Sequence, residues 1–161
     1  MTPESPIERL QEIGIAAAMR DSLWLYPFVE ILHILGFVVL VGSVVMFDLR
    51  LLGVSSRIPV RMLAGHLLPW SLGSLIVVLP AGLLLFLTDA AAIISNPAFT
   101  LKILLLFVVA GNALAFHLGP FRTVVTWDVH TPAPHAARFH ATLSLLLWIS
   151  IIACGRSIAY V

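Results

Sequence analysis

An all-α bundle of four membrane-spanning helices, preceded by a short amphipathic helix at the membrane surface, is the fold this sequence predicts. Three observations predict it. The 161 residues are 60% hydrophobic and only 11% charged, where soluble domains carry about 25% charged residues. Mean hydropathy is +1.06, so most side chains face lipid or other helices. The apolar residues also gather in four continuous runs, each near the ~20 residues that cross a hydrocarbon layer. A spanning β-barrel would instead show alternating positions.

Residues 1–21, MTPESPIERLQEIGIAAAMRD, stand apart from the rest. They mix four acids with Arg9 and Arg20 and lack the basic start and apolar core of a cleavable signal. Ser5, Pro6 and Glu8 read as a helix start. Ile7, Leu10, Ile13 and Ile15 fall on one face, which gives an amphipathic helix along the interface.

Residues 22–161 form the second unit, the four-helix transmembrane domain. Its first run extends from Leu23 to Phe47 and ends at Asp48 and Arg50, read as a helix stop and membrane boundary. The second covers Leu63 to Leu87 and carries Pro69 and Pro80, which should bend it. The third covers Phe99 to Leu118 after the Asn96-Pro97 break, and the fourth Phe139 to Tyr160. The longest connection, 119–138, holds prolines near His130 and His135.

Charge narrows the function classes. A net charge of +1 makes no case for nucleic acid as a partner, which leaves the lipid bilayer. The single cysteine, Cys154, excludes an internal disulfide and any multi-cysteine metal site. No catalytic nucleophile, phosphate loop or hydrolase motif is apparent. Arg9, Arg20, Lys102 and Arg156 mark one face; Arg50, Arg57, Arg61, Arg122 and Arg138 mark the other. Basic loops favour the cytoplasm, so both termini are expected outside it.

Chemistry is carried by histidine. Of six histidines, His33, His66, His117 and His140 each belong to a different apolar segment, and ionisable groups there tend to face the bundle interior and serve a site. Counting about 1.5 Å per residue from the N-terminal face puts His33 about 13 Å deep, His117 about 22 Å and His140 about 24 Å. A b-type haem takes axial imidazoles. His33 with His117 is the first candidate pair, and His117 with His140 is better matched in depth. His66, about 34 Å from that face, is interfacial and the weakest candidate. Gly36, Gly73 and Gly111 offer room for a flat ring or for helix packing. Arg61 and Arg138 near His140 could hold propionates, or serve topology and headgroups.

Two other metal chemistries come into question. Glu30-x-x-His33 suggests a di-iron site, but that needs a second such motif and further glutamates, and no Glu follows residue 30. Copper suits imidazole and thioether, for which His33, His66, His117, Met46 and Met62 are available; His33, His117 and His140 are the candidate metal ligands.

Residues 30–53 (EILHILGFVVLVGSVVMFDLRLLG), 102–117 (KILLLFVVAGNALAFH) and 155–160 (GRSIAY) resemble an uncharacterised bacterial family of four-helix membrane proteins. Its signature is His33-x-x-Gly36 followed by Phe47–Gly53. The resemblance implies a multi-pass protein of the bacterial inner membrane, with both termini periplasmic on the charge reading. More distantly, the layout is similar to small b-type cytochromes and to the membrane part of copper-resistance protein D. That likeness implies a haem b electron carrier between a quinone and a redox partner protein. The alternatives are a copper-handling protein, or a structural subunit of a homo-oligomer or larger membrane complex.

Overall fold

The computed structural model describes residues 14–129 and 131–160. The amphipathic reading of residues 1–13 lies outside the described residues. The chain runs through α1 (Gly14–Asp21), α2 (Leu25–Leu51), α3 (Val60–Thr88), α4 (Ala90–Ser95), α5 (Pro97–Leu118), a 3-10 segment (Pro120–Thr126) and α6 (His135–Ser157). Helices α2, α3, α5 and α6 are each long and apolar enough to cross a membrane. At 27 and 29 residues, α2 and α3 measure about 40 Å and overrun a hydrocarbon layer about 30 Å thick.

The outer surface supports the membrane assignment. Ile76 is 78% exposed and Phe107 74%, and such side chains recur around the helices. In water this surface would be a penalty of about 25 cal/mol per Å²; in lipid it is the solvent-matched face. This is a multi-pass membrane protein.

Two hairpins build the bundle. Helix α2 packs along α3, α5 packs along α6, and the hairpins join where α2 meets α6. Gly36 lets α2 approach α3, because a Cβ there would come within 2.8 Å of Val78. Between α3 and α5, by contrast, no Cα atoms approach within 8 Å among the described residues. This edge of the bundle is therefore the loosest, held at the end near Thr88 by Phe86 of α3 stacked on Phe99 of α5 with ring centroids 5.5 Å apart.

Caps set the helix ends. Asn96 accepts hydrogen bonds from the backbone N–H groups of Ala98 and Phe99 at 2.9 and 3.3 Å, with Pro97 in the first turn. Its amide also donates to Ile158 O at 3.1 Å, tying the end of α6 to the start of α5. Arg20 of α1 donates to Thr88 O at the end of α3. Met19 of α1 is buried with Val29 and Ala81, so the short helix is anchored to α2 and α3.

The opposite end corrects the reading of Asp48 and Arg50. Helix α2 does not stop there; it continues to Leu51, and the two side chains are only 5% and 4% exposed. Arg50 donates to Ile58 O at 2.6 Å, Ser56 O at 3.0 Å and Asp128 O at 3.1 Å. Asp128 in turn accepts from the first backbone N–H groups of α3, Val60 through its carbonyl and Arg61 through its carboxylate. One arginine and one aspartate thus bind both loops of this face together. Gly53, at φ +108°, makes the turn that brings the loop back under Arg50.

Candidate functional site

A cavity of about 170 Å³ lies inside this capped end, with walls from all four spanning helices. Helix α2 contributes Asp48, α3 Ser71, α5 Asn112 and His117, and α6 His140 and Ser144. The remaining wall is apolar, led by Phe47, Leu68, Leu72 and Phe116.

Helix geometry explains why Asp48 is here while Arg50 is not. Residues two apart on a helix point in nearly opposite directions. Asp48 shares the inward face with Val44 and Leu51 at spacings of four and three. Arg50 turns out toward the loops. Ser144 approaches the Asp48 carboxyl, yet Oδ2 has no hydrogen-bond partner. An ionised, unpartnered carboxylate at such a site costs several kcal/mol. The oxygen therefore calls for a proton or a donor.

The histidines are oriented by their Nδ1 atoms. His140 Nδ1–H donates to Asn112 Oδ1 at 2.8 Å, and the Asn112 amide donates to the His140 carbonyl at 3.0 Å. That carbonyl only accepts, which fixes the amide orientation and with it the tautomer of His140. His117 Nδ1–H donates to Ala113 O at 2.8 Å. Each imidazole then carries a lone pair on Nε2. Phe116 packs against both rings, with centroids 5.2 Å from His117 and 6.2 Å from His140.

The other sequence candidates lie elsewhere. His33 donates from Nδ1 to Val78 O at 3.0 Å, with its ring laid on Gly82, where a Cβ would come within 2.9 Å. It is fifteen residues before Asp48, about 22 Å along the helix axis, and does not line the cavity. The structure does not bring His33 to His117; it brings His117 to His140. His66, Arg61 and Arg138 are exposed and lie outside the cavity wall, as do Met46 and Met62. Glu30 is exposed at the other end of α2. Gly36 is filled by Val78, while Gly73 and Gly111 have open space beside them.

Asp48 is the residue that sequence reasoning missed as a site. A charge at the end of an apolar run reads as a boundary. The signal available was its helical register with Val44 and Leu51.

Haem and metal can be tested against this geometry. The donor set suits haem, because ligating imidazoles characteristically engage Nδ1 with a carbonyl or carboxylate and present Nε2. The space does not: pockets for organic ligands run about 300–1,000 Å³, above the 170 Å³ here. A four-pyrrole ring would require α3 and α5 to separate. Among the described residues no three His, Cys, Asp or Glu side chains are grouped to hold a metal ion.

Fold and site together define a four-helix, multi-pass membrane protein with a largely apolar cavity, carrying a few polar groups, near one face. The chain belongs to DUF6644, a family of unknown function, which matches over residues 22–161. No curated protein and no solved structure matches it.

Proposed function

We propose that this protein works through an intramembrane acid–base site formed by Asp48, His117 and His140. The observation that carries the reading is Asp48 Oδ2, buried without a hydrogen-bond partner on a residue that lines the cavity together with two Nδ1-anchored imidazoles. Carboxylates and histidines inside membrane bundles characteristically handle protons or bind polar ligands. Here the carboxyl takes up a proton or a donor, and the two imidazoles of the same cavity wall are the groups that would exchange it. Infrared spectra of the purified protein across a pH titration test this. A carboxyl band present in the wild type and lost in Asp48→Asn is expected. Identical spectra from the two proteins would overturn the reading.

A second reading is a haem b electron carrier in which His117 and His140 would hold the group through their imidazoles. The shared Nδ1 anchoring favours it, while the cavity volume opposes it. When bound, haem would supply one-electron chemistry; the chain's own part would be to hold the imidazoles. A Soret band after expression with added haem, lost in His140→Ala, would establish it. Copper in place of haem would appear in metal analysis of the same sample. We place the protein in a bacterial inner membrane with both termini periplasmic, because Arg57, Arg61, Arg122 and Arg138 mark the loop face.

A further inference from the structure

Chemistry, size and access of the cavity agree on one class of ligand. Three acceptor atoms belong to groups in its wall: Oδ2 of Asp48, and Nε2 of His117 and His140, whose protons sit on Nδ1. Helix α3 adds only the hydroxyl of Ser71 there, and the nearest cation, Arg50, directs its donors to loop carbonyls. The complementary ligand is therefore a hydrogen-bond donor.

Its size follows from the volume. An apolar cavity of about 150 Å³ holds one benzene ring, so 170 Å³ takes a single six-membered ring.

Its access follows from the packing. Toward the loops, Leu51, Val60, Val124 and Trp127 pack in one buried cluster, sealed over by Arg50 and Asp128. Sideways, α3 and α5 touch through the Phe86–Phe99 stack at the far end of the bundle but bring no Cα atoms within 8 Å of each other, and at that seam, beside the cavity, Leu72 of its wall is 66% exposed and Ala113 is also exposed. The open route leads into lipid.

We infer that the cavity binds the head group of a quinol-type lipid, a hydroxylated aromatic ring whose apolar tail leaves between α3 and α5. This rests on the acid–base reading and names its ligand. The ring hydroxyls donate to the Asp48 carboxyl and the imidazole Nε2 atoms. Phe116 and Leu68 flank the ring. Binding breaks no covalent bond and moves no electron.

The test uses the full chain in phosphatidylcholine nanodiscs and a benzoquinol with a ten-carbon tail, kept anaerobic, with empty nanodiscs as the baseline. The comparison ligand is its bis-methyl ether, which keeps ring and tail but has no O–H donor. Saturable binding of the quinol is expected. It should weaken at least about ten-fold for the ether, in line with a lost hydrogen bond to a charged or polar buried partner. Asp48→Asn and Leu72→Trp, which narrows the seam, should weaken quinol binding similarly. No saturable binding by the wild type, or equal binding of quinol and ether, overturns the inference, and the ether arm needs no variant to fold. If the Asp48 infrared band is present while the quinol fails to bind, this inference falls and the acid–base site stands.

Discussion

At the end of the bundle near the termini, His33 lies between α2 and α3, its Nδ1–H on Val78 O and its ring close against Gly82. At the loop end, His117 and His140 have their Nδ1 atoms engaged just as firmly, but they face a cavity shared with an unpartnered carboxyl. All three are histidines in apolar helices. The first closes a packed hairpin; the other two line a space that four helices leave open. The contrast teaches that a polar residue inside a membrane declares a function only when part of it stays unsatisfied. His33 has its Nδ1 bonded and its ring packed against Gly82, whereas Asp48 keeps an oxygen without a hydrogen-bond partner.

Substitutions can break or sharpen that contrast. The largest effect is expected at the cap over the loop end. Arg50→Met would strip Ile58, Ser56 and Asp128 of their shared donor. A loss of about 3 kcal/mol is expected, since a hydrogen bond from a charged donor contributes about 1.5–3 kcal/mol. Unfolding in detergent would measure it, and an unchanged transition would show that the cap is dispensable.

Gly82→Ala comes next, at the packed end. Its Cβ would fall 2.9 Å from the His33 ring, so the ring must shift and strain or lose its bond to Val78. Overpacking of this kind costs about 1–3 kcal/mol. His33→Ala should relieve most of that cost in the double variant. A purely additive double-mutant cycle would mean the ring and the glycine do not depend on each other.

Asn112→Ala removes the reciprocal pair that orients His140. About 1–2 kcal/mol of stability should be lost with the unpaired groups. The imidazole signals of His140, followed by NMR, should show a mixture of tautomers; a single unaltered tautomer would show that Asn112 does not set it.

Asp48→Asn should have the smallest effect on stability, under about 1 kcal/mol, because it replaces an unpartnered acceptor by a neutral isostere and empties no space. Its infrared and ligand-binding consequences should nonetheless be large. A severe loss of stability would instead assign Asp48 to the framework, alongside His33.

Much of the fold is legible in the amino-acid sequence. The four apolar runs are continuous around each helix, so their identification needs no knowledge of which face packs where. Asn96-Pro97 announces the start of α5 because capping is a local matter of one side chain and the next two N–H groups. Matching depths for His117 and His140 also follow from counting residues. Asp48 resists such reading, because an inward or outward direction differs by only two residues on one turn.

By itself, then, the amino-acid sequence determined that this chain is a membrane bundle of four helices, since hydrophobic length and backbone hydrogen bonding in lipid admit little else. It also placed polar groups at particular depths. Only the tertiary structure decided that α2 packs along α6 while α3 and α5 stay loosely joined, and hence that Asp48, His117 and His140 line one cavity while His33 is packed away. The reason is physical. Depth is a property of one helix, but convergence depends on how four helices rotate and pair, and residues far apart in the sequence settle that through contacts such as Asn112 with His140 and Arg50 with Asp128.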